Sequence, residues 1–114
     1  MARNGKEITE AMAAIIEETG RPPSEVGAVV TELFSLAKRA NRYNEINCNG
    51  ELTERQDALS AKVDTRMTEL AASLGLESEL NGDPRGFPFY VKLPKTGRSN
   101  SWGGSERGWG IGLS

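Results

Sequence analysis

The sequence predicts an α+β fold: three helices, two of them forming an antiparallel helical hairpin, followed by a small C-terminal antiparallel β-hairpin or sheet. Three observations predict it. Apolar residues recur at helical spacing in three stretches before residue 75, whereas Phe87, Phe89, Val91 and Leu93 recur at a period of two. Five of the seven aromatics and eight of the thirteen glycines lie beyond residue 81, where turns and a compact β unit are expected. A chain of 114 residues makes one domain, with residues 1–80 as its helical part and 81–114 as the Gly- and aromatic-rich β unit.

Residues 1–5 read as a loose terminus. From 6 to 19, Ile8, Met12, Ile15 and Ile16 with Ala11, Ala13 and Ala14 form the apolar face of a first helix, and Gly20 is a natural stop. Arg21-Pro22-Pro23 cannot continue it, because proline lacks the N–H and disfavours helical geometry in its predecessor. Ser24 is the expected cap of a second helix over 24–47, whose stripe is Val26, Val29, Val30, Leu33, Phe34, Leu36, Ala37, Ala40, Tyr43 and Ile46. Asn47-Cys48-Asn49-Gly50 is a turn signal. Thr53 and Gln56 match a capping box, and Leu52, Leu59, Val63, Met67, Leu70 and Leu74 carry a third helix closed by Gly75. Residues 76–81 read as a polar link, 87–93 as a strand with Pro88 at its start, 98–102 as the strand that pairs back, and Trp109 to Ile111 as a final short strand.

Composition removes several functions. With no histidine there is no Ser-His-Asp or Cys-His relay, and a lone Cys48 gives neither an intramolecular disulfide nor a Cys/His metal framework. Cys48 therefore reads as a packed thiol, no cofactor or metal is expected, and the chain is not expected to be an enzyme. The formal charge of −2 argues against general nucleic-acid binding. No signal peptide and no membrane-spanning run is visible, so the expected place is the cytoplasm. A domain this small buries a limited share of its surface, and a homo-oligomer is the expected remedy.

Charge is unevenly spread. Residues 1–80 hold nine Lys or Arg against fourteen Asp or Glu, while 81–114 hold five against two. In the basic tail, Arg85 and Arg98 stand beside glycines that permit close approach of a ligand, and their guanidinium forks suit phosphate or carboxylate. Arg107 adds a further cation. Trp102 and Trp109, with Phe87 or Tyr90, offer flat surfaces for a base, and Asn100 can read its edge. Arg85, Arg98, Asn100, Trp102, Arg107 and Trp109 are thus the candidate ligand-binding residues. The same inventory also describes a small β core with its turns. On the second helix, Lys38, Arg39 and Arg42 read as a solvated face matched to the helix dipole, with a phosphate site as the competing reading.

Asn47-Cys48-Asn49-Gly50 followed by the Thr53 helix start, Gly82-Asp83-Pro84-Arg85-Gly86, and Gly97-Arg98-x-Asn100-x-Trp102-Gly103-Gly104 with Gly108-Trp109-Gly110 resemble small, mostly uncharacterised proteins of tailed phages and prophages. The resemblance spans roughly residues 40–112. It implies a small accessory protein made inside a bacterial host, and it brings no established activity. Three functions from different classes follow. The first is a binding module that sequesters a small anionic ligand, a nucleotide or cyclic-nucleotide immune signal, to counter host defence. The second is a protein–protein inhibitor of a host defence or replication protein, acting through Glu17, Glu18, Glu45, Glu51, Glu54, Asp57, Asp64 and Glu69. The third is a nucleotide-acting enzyme using Asp83 or Glu106 with Arg85 or Arg98, which the missing acid–base groups disfavour.

Overall fold

A computed structural model describes residues 2–82, 86–96 and 111–113, with the side chains of the first helix described from Glu7 onward. The order is α1 (Ala2–Thr19), α2 (Pro23–Asn49), α3 (Glu54–Ser73), β1 (Ser78–Leu80), β2 (Phe89–Val91) and β3 (Gly112–Leu113). The fold is α+β, with α2 and α3 as the helical hairpin and a small sheet at the C-terminal end. None of the helices, among the described residues, is long and apolar enough to cross a membrane.

Local chemistry accounts for the helix ends. Gly20 and Gly75 take positive φ values of 70° and 75°, the left-handed geometry that closes a helix with little strain only when no side chain is present. At the start of α3, Thr53 Oγ1 accepts from the Gln56 N–H at 3.1 Å and Gln56 Oε1 accepts from the Thr53 N–H at 2.9 Å, which completes the capping box.

Three boundaries differ from expectation. α1 already runs from Ala2 where a loose terminus was expected. Pro22, not Ser24, occupies the N-cap of α2 without a side-chain bond, and Pro23 sits in the first turn, where its missing N–H costs nothing. α2 also continues through Asn47 and Cys48 to Asn49, and Gly50 is extended (φ 178°) instead of left-handed. The Asn49 side chain donates back to the Glu45 carbonyl at 3.0 Å, so the turn signal is spent inside the helix and Cys48 is exposed on its last turn.

One core joins the layers. Ile15 and Ala14 from α1, Val26, Val30 and Leu33 from α2, Met67 and Ala71 from α3, and Phe89, Val91, Leu93 and Ile111 from the β unit are all buried in it. Glu32 bonds Arg66 at 3.0 Å across the hairpin, an exposed contact between the antiparallel α2 and α3. In the sheet, β2 is central. It pairs antiparallel with β1 through Glu79↔Tyr90 and parallel with β3 through Val91↔Leu113. The antiparallel partner is thus the upstream stretch 78–80, read from the sequence as a link. The expected strand over 98–102 lies outside the described residues.

Met67 is fully buried between the hairpin helices, and its replacement by Ala should cost about 2–5 kcal/mol. Thr53→Ala, which removes one half of an exposed cap, should cost about 1 kcal/mol. Urea unfolding ranks the two; a Met67→Ala loss no larger than the cap loss would contradict the packing of α3.

Candidate functional site

The six residues selected from the sequence, Arg85, Arg98, Asn100, Trp102, Arg107 and Trp109, lie outside the described residues, as do Asp83 and Glu106. Described residues near two of them in sequence are fixed at several points. Asn81 donates its N–H to the Pro88 carbonyl and its side-chain amide to the Phe87 carbonyl, while its own carbonyl accepts from Asn44 of α2 at 2.9 Å. This ties to α2 the base of the loop that carries Arg85. A Cβ at Gly86 would come within 3.0 Å of the Asn81 amide nitrogen, so a side chain there would displace the anchor. Phe87 is buried with Tyr90 edge-on to it, ring centroids 5.8 Å apart, which makes Phe87 core and removes it as a ligand platform.

A second anchor holds the turn after β2. Glu18, at the end of α1 and only 6% exposed, accepts from the N–H groups of Lys95 at 3.1 Å and Thr96 at 3.0 Å. Burial pushes its carboxyl up, but the N–H groups of Thr96 and Lys95 and the nearby Lys95 charge outweigh that and hold Glu18 below its ordinary value of 4.5. The turn leading toward Arg98 is thereby fastened to the helical layer.

Beside Glu18 lies a groove of about 440 Å³, lined by Arg21, Lys92 and Lys95 together with Glu77, Leu74 and Gly75. Its lining mixes these cations with two carboxylates, Glu18 and Glu77. α1 and α3 both end here with no basic residue in their last turns, so Arg21, Lys92 and Lys95 supply the positive charge that two helix C-termini favour. Arg21 also bridges Glu25 at 3.0 Å. We read this groove as a junction that holds helices and sheet together.

The second recess, about 340 Å³, is different. Lys38, Arg39, Arg42, Tyr43 and Ile46 of α2 line it with Gln56 from the first turn of α3. The helical period makes this a cluster: positions 38, 39 and 42 root three cations within about 6 Å of axial rise. No carboxylate lines the recess, and none of the three cations has an ion pair or hydrogen bond among the described residues. The dipole explanation expected from the sequence fails as well. α2 runs to Asn49 with no basic residue in its last turn, so Arg42 stands about two turns from the end, beyond the reach of a dipole effect confined to the terminal turn. Tyr43 and Ile46 are half-buried and supply an apolar wall. Gln56 spends its Oε1 on the capping box, which leaves its amide nitrogen as a donor.

The acidic set proposed for protein contact is partly committed to the fold. Glu18 is buried in its anchor, and Glu69 lies 3.7 Å from Arg66. Among the described residues no group of three or more His, Cys, Asp or Glu is placed to hold a metal ion. Comparison with protein-family models, curated proteins and solved structures finds no match for this chain.

The direction of the Glu18 shift fixes a pH dependence. A carboxyl held low in the folded protein contributes stability that is fully present above its unfolded value, and that contribution is lost as pH falls through the folded value. Glu18→Gln should therefore lower stability near pH 7, and the gap to the parent protein should close as pH drops below 4.5. A gap in urea midpoint that is constant from pH 7 to pH 3 would contradict the anchor.

Proposed function

We propose that this protein binds and sequesters a small anionic ligand of the nucleotide class without turning it over, as a phage-type accessory protein countering a host defence. A nucleotide or cyclic-nucleotide immune signal is the ligand type in view. The observation that carries this reading is the recess on α2, lined by three cations that have no ion-pair partner among the described residues. Phosphate oxygens would satisfy the two guanidinium forks and the ammonium, each charge-assisted bond contributing about 1.5–3 kcal/mol. The half-buried Tyr43 ring beside them suits the flat, apolar part of such a ligand. The C-terminal set around Arg98 and Trp102 is the second place where the same ligand class would bind. The protein-inhibitor alternative draws less support, since part of its acidic surface is engaged in internal contacts.

Thermal unfolding against a panel of mono-, di-, tri- and cyclic nucleotides tests the proposal. A ligand at 100 times its dissociation constant adds about 2.7 kcal/mol to a one-site protein, which moves the midpoint by several degrees. The triple variant Lys38→Gln/Arg39→Gln/Arg42→Gln should lose that shift while unfolding at or slightly above the parent temperature, because it relieves repulsion among exposed like charges. Retention of the shift in the triple variant and its loss in Arg98→Ala would move the site to the C-terminal set. A flat panel for the parent protein would contradict ligand binding altogether.

A further inference from the structure

The three cations of the α2 recess exceed in number what a single phosphodiester needs. One phosphodiester carries one negative charge and would leave two of Lys38, Arg39 and Arg42 unanswered. The three cations are rooted within about 6 Å along one helix face, where one compact, multiply charged ligand can reach all of them. A chain of linked phosphates places several charges on adjacent groups and matches that density. Among the described residues no carboxylate lines the recess, so no described side chain there would help to hold a divalent cation that arrived with the ligand.

We infer that the α2 recess selects a metal-free oligophosphate, two or three linked phosphates, over a single phosphodiester. This rests on the anion-binding reading above and narrows it. Lys38, Arg39 and Arg42 take the place that Mg²⁺ holds beside phosphate chains in metal-dependent sites, and Gln56 adds a neutral donor. Mg²⁺ bound to the phosphates would neutralise the charge the cations recognise, so it competes with the protein. Inorganic oligophosphates and nucleoside polyphosphates share this chemistry, and Tyr43 with Ile46 offers the surface on which the second kind would gain.

Isothermal titration of the full chain with pyrophosphate, tripolyphosphate, ATP, cyclic AMP and a cyclic dinucleotide, in chelator and then in excess Mg²⁺, tests the inference. Tripolyphosphate should bind at least about tenfold more tightly than cyclic AMP, since it makes at least one more charge-assisted contact. Excess Mg²⁺ and raised salt should both weaken it, and the triple glutamine variant, folded by circular dichroism, should lose it. Equal affinity for tripolyphosphate and ATP supports selection by the phosphate chain alone; tighter ATP supports the same selection with a nucleoside contact, which Tyr43→Ala should then remove. Cyclic AMP or the cyclic dinucleotide binding as tightly as tripolyphosphate, or binding that Mg²⁺ strengthens, would overturn the oligophosphate inference and leave anion binding standing. Heat from none of the five would overturn both.

Discussion

A sheet built of strands of three, three and two residues has too little pairing to hold itself together, so it exists only as a layer on the helices. The burial of Phe89, Val91, Leu93, Ile111 and Leu113 against α1, α2 and α3 is the constraint from which the rest of the architecture follows. Apolar burial is not directional, and register is set by polar contacts at the margins. Asn44 holds Asn81 where the chain leaves β1, and Glu18 holds Lys95 and Thr96 where it leaves β2. Between and beyond these two anchors lie the segments that carry Arg85, Arg98 and the two tryptophans. The helical layer thus fixes the ends of β1 and β2.

The same accounting separates structural charge from available charge. Arg21, Lys92 and Lys95 sit where two helices end without basic residues of their own, and Arg66 lies between Glu32 and Glu69. Arg21 pairs with Glu25, Lys95 acts on the Glu18 carboxyl, and Lys92 shares its groove with Glu77. Lys38, Arg39 and Arg42 have no ion-pair partner among the described residues, and they repel one another on a helix that would be at least as stable without them. A fold that retains such a cluster beside a half-buried tyrosine carries it at a cost in stability. Counter-charge from outside the chain removes that cost, which links the packing of α2 to the proposed binding.

Much of the frame was legible in the sequence because it obeys local rules. Gly20 and Gly75 end their helices, Thr53 and Gln56 form the capping box, and the stripe from Val26 to Ala40 is buried as its spacing predicts. β1 escaped notice because Ser78-Glu79-Leu80 is an exposed edge with no buried alternation, Leu80 itself being 46% exposed, and its pairing with β2 is a tertiary fact. The end of α2 was misplaced because Asn47, Asn49 and Gly50 signal a turn that helix continuation overrides. The helix end at Asn49 sets Arg42 about two turns from the terminus, where an end at Asn47 sets it about one and a half turns away, so the dipole reading is weak at either length. Tyr43 reads as stripe and Gln56 as cap; the helical period already sets Tyr43 beside Arg39 and Arg42, and only the hairpin brings Gln56 to them. Glu18 gave no signal at all, since a carboxylate that accepts from backbone seventy-seven residues away has no sequence pattern.

The central claim is that the cations of α2, and not the junction groove, receive the anion. Amide chemical-shift mapping of the ¹⁵N-labelled protein during a tripolyphosphate titration tests it most directly. The account predicts saturable shifts concentrated over residues 38–46 and at Gln56, with the signals of Glu18, Lys92 and Lys95 left in place. Shifts centred on residues 18–21 and 92–95, with residues 38–46 unmoved, would contradict it.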